Sequence, residues 1–161
     1  MNIKWILIYG GSDNIPLHLE AARVAVLKTL PLVATQCGIM VLDRLGIEAE
    51  AMRTCVTWGL KLLVVGTNAR PASAISRKYY ERAVLPKGTA QETKARLTRY
   101  ALRKASGVVI IGDSPDCQAL RMYAALLRKT AKHVPAPLDT TRLVAPDSDW
   151  LRINGHWYIN G

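Results

Sequence analysis

The sequence predicts an α/β domain of three layers, with helices on both faces of a mainly parallel sheet of about five strands. Three observations carry that prediction. Residues 5–9 (Trp-Ile-Leu-Ile-Tyr) and 107–111 (Gly-Val-Val-Ile-Ile) are short apolar runs without the alternation of a half-exposed strand, as expected for strands buried on both faces. Each run stops at a glycine turn that supplies helix-capping residues: Gly10-Gly11-Ser12-Asp13-Asn14 ahead of Pro16, and Gly112-Asp113-Ser114 ahead of Pro115. Between such runs lie amphipathic stretches, so strand and helix alternate along the chain.

The elements follow in order. Residues 17–30 read as a helix, with Leu19, Ala22, Val26 and Leu30 at helical spacing and Pro31 ending it. Residues 32–35 (Leu-Val-Ala-Thr) read as a second strand, closed by a Gln36-Cys37-Gly38 turn. A helical stripe then runs through Leu42, Leu45, Ala49, Met52 and Val56, and Gly59 stops it. Residues 60–65 form the third strand, ending at Gly66-Thr67-Asn68. Pro71, Pro86 and Gly88 break the next stretch into a loop around a short helical piece at 77–83, and residues 91–104 return to helix. The fourth strand, 107–111, leads to a helix capped by Ser114 that runs to about Thr130. A brief strand near His133-Val134 fills a fifth position.

These elements place one domain at residues 1–134. A C-terminal extension, 135–161, carries Pro135, Pro137 and Pro146 and then a β-hairpin about Asn154-Gly155. Two strands alone are marginal in water, so the hairpin is expected to pack on the domain or on another copy of the chain, giving a homo-oligomer.

Half of the 161 residues are hydrophobic and 21% are charged, which excludes a disordered chain. With no Phe, the core must be built from Leu, Val, Ile, Ala and Met. The three cysteines, Cys37, Cys55 and Cys117, show no metal-ligand spacing and no complete pairing, so no metal and a reducing, cytoplasmic setting are expected. No run is long enough to span a membrane. The net charge of +10 is concentrated: residues 68–104 hold ten Lys/Arg against only Glu81 and Glu92. A field so localised implies an anionic partner.

Ligands of open parallel sheets bind outside the carboxyl ends of the strands. Four turns are expected there, contributing Gly10, Gly11, Ser12 and Asp13; Gly38; Thr67 and Asn68; and Gly112, Asp113 and Ser114. Glycine admits close backbone approach, and small polar side chains add hydrogen bonds. Arg96 and Arg99, from the basic segment, would neutralise a phosphate. The first and last turns are expected to face each other across one anion crevice.

The run Tyr9-Gly10-Gly11-Ser12, then Gln36-Cys37-Gly38 leading into Asp43-Arg44 and a helix ending at Gly59, resembles the SLOG superfamily. The later run, 96–105 followed by Gly107-Val-Val-Ile-Ile-Gly112 and a helix from Ser114, is similar to that group's second half. The resemblance spans about residues 4–134. It implies a Rossmann-like fold that binds a nucleotide or related phosphorylated ligand, with oligomers common. Members include the LOG phosphoribohydrolases, the molybdenum-cofactor carrier protein and DNA-processing protein A. The chain departs from the phosphohydrolase branch, whose Pro-Gly-Gly-x-Gly-Thr-x-x-Glu pattern is here Gly112-Asp113-Ser114-Pro115-Asp116. An N-glycosidic hydrolase would then have Asp113 and Asp116 as its local carboxylates, and these also suit a helix cap and first turn.

A second enzyme reading is a nucleoside deoxyribosyltransferase with a carboxylate nucleophile. Glu48, Glu50 and Glu81 come into view for it, although Glu50 falls on the predicted solvent face. The chain has neither Gly-x-Ser-x-Gly nor a P-loop motif, and His18, His133 and His156 are scattered. The basic segment leaves nucleic-acid binding open as a third reading, through its backbone phosphates.

Overall fold

The computed structural model describes residues 3–10, 16–28 and 37–134. The strands are β1 (Lys4–Gly10), β2 (Cys37–Leu42), β3 (Leu62–Gly66), β4 (Tyr80–Arg82), β5 (Gly107–Ile111) and β6 (Thr130–Val134). The helices are α1 (Pro16–Lys28), α2 (Ile47–Trp58), α3 (Ala74–Tyr79), α4 (Ala90–Lys104) and α5 (Pro115–Leu126). All strand pairs are parallel, in the order β4-β3-β2-β1-β5-β6.

Strand alternation divides the core in two. Ile8, Ile39, Val41, Val64, Val109 and Ile111 face α1 and α2, meeting Ala22, Val26, Ile47, Ala51 and Cys55. Leu7, Tyr9, Met40, Leu42, Val108 and Ile110 face the other way, against Ala101 and Leu102 of α4 and Cys117, Leu120 and Ala124 of α5. The result is a three-layer, Rossmann-like domain.

Local chemistry explains the helix ends. Thr89 and Glu92 form a reciprocal capping box at the start of α4: the Glu92 N–H donates to Thr89 Oγ1, and the Thr89 N–H to Glu92 Oε1, both at 3.1 Å. Ser114 Oγ accepts the Cys117 N–H at 3.3 Å with Pro115 in the first turn, as the sequence predicts. Gly59 ends α2 in the left-handed conformation (φ 64°), where a Cβ would be strained.

Three expectations need correction. The second sheet position belongs to Cys37–Leu42, while the expected strand at 32–35 lies outside the described residues. Leu42 is therefore sheet, and α2 buries Ile47, Glu48, Ala51, Met52 and Cys55, sharing only Met52 with the predicted stripe; Leu45 is 75% exposed. The segment expected as a loop with helix at 77–83 holds α3 and then β4. The sheet, with six strands, is the mainly parallel sheet of about five that the sequence predicts, extended by β4. The C-terminal hairpin, like Gly11, Ser12 and Asp13, lies outside the described residues.

Candidate functional site

The chain steps from β1 through β2 and β3 to β4 in one direction, then returns to place β5 on the other side of β1. The β1/β5 junction is thus a topological switch point, the place where open α/β sheets bind their ligands. Gly10 stands opposite Ile111 in register, so the end of β1 at Gly10 and the turn at Gly112 are neighbours.

Gly112 adopts φ 108°, a conformation that favours glycine. Its N–H donates to the Val134 carbonyl at 2.8 Å, and His133 Nε2 lies 2.8 Å from both its carbonyl oxygen and Asp113 Oδ1. The second turn is therefore tied to β6.

The end of β1 is anchored from the α2 layer. The Gly10 N–H donates to Glu48 Oε1 at 2.9 Å, and Arg44 Nη2 lies 2.5 Å from the same oxygen while also donating to the Gly10 carbonyl. The Arg44 guanidinium lies over the Tyr9 ring, 4.7 Å from its centroid, a cation–π arrangement. Glu48 has no exposed surface, and Glu48 Oε2 and Arg44 Nε have no hydrogen-bond partner among the described residues. Burial pushes the Glu48 carboxyl above its ordinary value, against the pull of Arg44 and the Gly10 N–H. Burial likewise raises the Tyr9 phenol.

Beside this junction a cleft of about 530 Å³ opens between α4 and α5, lined by Tyr9, Gln91, Lys94, Thr98, Arg99, Asp116 and Tyr123 among others. Lys94 Nζ reaches Asp116 Oδ2 at 2.6 Å across its mouth. Arg99 packs over the Tyr123 ring, 5.2 Å from its centroid. Two cations, a hydroxyl and two aromatic rings on one wall set are the groups needed to hold an anionic ligand with a flat ring.

The expected site residues are only partly gathered there. Arg99 and Asp116 line this cleft, and Gly10, Gly112, Asp113 and Ser114 lie at the adjoining strand ends. Arg96 lines a different cleft, on the other flank of α4. Thr67 lines a third, with Arg82 and Lys87, and the Thr67 and Asn68 carbonyls accept from Arg82 Nε (3.3 Å) and the Tyr80 hydroxyl (2.7 Å). Gly38 is corrected outright. It is the second residue of β2, opposite Trp5, at the far end of the sheet, and a Cβ there would fall 2.4 Å from the Trp5 ring. Packing explains that glycine.

Tyr9 and Lys94 are lining residues that the sequence reading did not single out. Tyr9 reads there as strand core, and Lys94 as one cation among ten. The i, i+4 spacing of Arg44 and Glu48 was the available signal for their pairing, with Gly46 between them obscuring it. The other carboxylates weighed for catalysis are engaged elsewhere: Glu50 pairs with Arg53 at 2.5 Å and Glu81 with Lys104 at 2.8 Å. Among the described residues no group of three or more His, Cys, Asp or Glu could hold a metal ion, and no helix is long and apolar enough to cross a membrane.

Layers, strand order and switch point together define a Rossmann-like domain. Among solved structures, the Moco carrier protein of Chlamydomonas reinhardtii has the same fold, with a TM-score of 0.61 at 18% identity over 91% of this chain and 85% of that one. A second structure of that carrier gives 0.62 at 17% identity, over 91% and 86%. The structural-genomics target TM1055 gives 0.56 at 18% identity, over 80% and 72%. No family model matches the sequence, and neither does any curated protein. At these identities the likeness is one of fold.

Proposed function

We propose that this domain binds a nucleotide or related phosphorylated ligand at the carboxyl ends of β1 and β5. The observation that carries the reading is the switch point itself, with the strand ends at Gly10 and Ile111 side by side and a cationic, aromatic-walled cleft adjoining them. In this reading Gly11-Ser12-Asp13 and Asp113-Ser114 present N–H and hydroxyl groups to a phosphate, while the Gly10 and Gly112 N–H groups hold the strand ends in place through Glu48 and Val134. Lys94 and Arg99 supply opposite charge, and Tyr123 or Tyr9 stacks on the ring system. The Moco carrier, which by its name carries a cofactor, supports small-molecule binding on this fold but does not identify the ligand.

Isothermal titration with mononucleotides tests the reading. Adenosine monophosphate or a counterpart with another base is expected to bind, and Lys94→Ala to weaken binding by roughly tenfold, the loss of one charge-assisted contact. Wild-type protein that binds none of them, at concentrations up to millimolar, defeats it.

Asp116 carries a second reading, because among the described residues it is the one carboxylate lining the cleft. Release of free base from a nucleoside monophosphate, abolished by Asp116→Asn, would make the site an N-glycosidic enzyme; binding without turnover leaves it a carrier or sensor. The division of the chain at 134/135 and a homo-oligomer through the C-terminal hairpin belong to the same proposal, and size-exclusion of a chain ending at Val134 tests both.

A further inference from the structure

The helix α4 has a second cleft on its other flank, of about 550 Å³, and Arg99 lines both. Leu85, Pro86 and Tyr100 give this cleft apolar surface, and Arg96, Arg99, Arg103 and Lys104 make the rest of it cationic. Two of those charges are compensated. Lys104 Nζ binds Glu81 at 2.8 Å, and Arg96 lies 3.4 Å from Glu92 while donating to the Pro86 and Lys87 carbonyls.

Arg99 and Arg103 differ. Neither has a carboxylate within ion-pair distance among the described residues, and both converge on Tyr123: Arg99 over its ring at 5.2 Å, Arg103 Nη2 donating to its hydroxyl at 3.0 Å. Like charges four residues apart repel, so two guanidinium groups steered onto one tyrosine form a concentrated, oriented and uncompensated field. A solvated helix face would not need them held.

We infer that the two clefts form one site for a ligand bearing a run of two or more phosphates, with Arg99 as the bridge between them. This rests on the mononucleotide reading above and extends it: a base and first phosphate occupy the α4/α5 cleft, and the further phosphates cross Arg99 to reach Arg103 and Arg96. Each cleft has the volume of a small-ligand pocket, and arginine forks match phosphate oxygens in pairs.

Isothermal titration of the full chain with adenosine monophosphate, adenosine triphosphate, inorganic tripolyphosphate and a short oligothymidylate tests the inference. The triphosphate is expected to bind roughly tenfold or more tighter than the monophosphate. Arg103→Gln should remove most of that advantage, read as the ratio of triphosphate to monophosphate affinity so that its contact with Tyr123 cancels. Arg96→Gln, which alters no residue that lines the α4/α5 cleft, should act in the same direction, with unliganded melting temperatures confirming that both variants fold. Equal affinities for mono- and triphosphate, or an advantage that survives both substitutions, overturns the inference while the mononucleotide reading stands. Tripolyphosphate binding that depends on Arg103, with no monophosphate binding, keeps the second cleft and defeats the mononucleotide reading instead. Binding of the oligothymidylate alone overturns both and makes the basic face a nucleic-acid surface.

Discussion

The Gly10 backbone N–H donates to Glu48 Oε1 at 2.9 Å, joining the last residue of β1 to a carboxylate on the first turn of α2 that has no contact with solvent. A strand end that opens a candidate binding turn is thereby fixed from beneath. Arg44 closes the arrangement by contacting both partners.

Glu48→Ala is expected to cost about 3–5 kcal/mol, because it orphans a buried N–H and leaves Arg44 without its counter-charge. Glu48→Gln should cost less, since its amide oxygen still accepts from Gly10. Urea unfolding of the two variants measures the order, and a cost below about 1 kcal/mol for the alanine change would remove the carboxylate from this role.

Gly10→Ala brings a different penalty. A Cβ there would lie 2.4 Å from Ile47 Cδ1 and 2.7 Å from Ile47 Cβ, too close for a rotamer change alone to relieve. A destabilisation of about 1–3 kcal/mol follows from such overpacking. Combining it with Ile47→Ala should recover part of the loss, as a double-mutant cycle would register.

Glu81 sets a pH dependence. Partial burial favours its neutral form, but hydrogen bonds from Lys104 and Tyr100 and the Lys104 charge outweigh this and hold its carboxyl below the ordinary value. A depressed folded pKa stabilises the fold at pH above the unfolded carboxylate value, and the contribution disappears as pH falls through the folded one. The stability difference between wild type and Glu81→Gln should therefore be constant near neutrality and vanish in acid. Because the pair is about one-third exposed, its size should stay under about 1 kcal/mol and shrink with salt.

The cysteines should be inert in the native protein. Cys55 has no exposed surface, and burial raises its thiol to about 12; Cys37 and Cys117 are also buried. A chromogenic disulfide reagent at pH 8 is expected to label them at the rate of unfolding, and immediate labelling of Cys55 would contradict the packing of α2 on the sheet.

Where sequence and structure part, the cause is physical. The run Cys37–Leu42 is a strand buried along its whole length, so it lacks alternation, and its last residue falls in helical step with Leu45 and Met52. Only the pairing of Ile39 and Met40 with both β1 and β3 decides between the two periods. Strand β4 has three residues, Tyr80, Glu81 and Arg82, none of them aliphatic, and exists because the edge of β3 offers partners.

By itself the sequence determined the α/β class, the β1 and β5 runs, the Ser114 cap and the polarity of the strand-end turns, because each depends on residues close in the chain. Tertiary structure decided that Gly38 sits at the wrong end of the sheet for a ligand, that Glu48 is buried under Gly10, and that Arg99 stands between two clefts. Those facts depend on which strands neighbour one another and which helix flanks they leave open, and that choice is made by packing across the whole sheet.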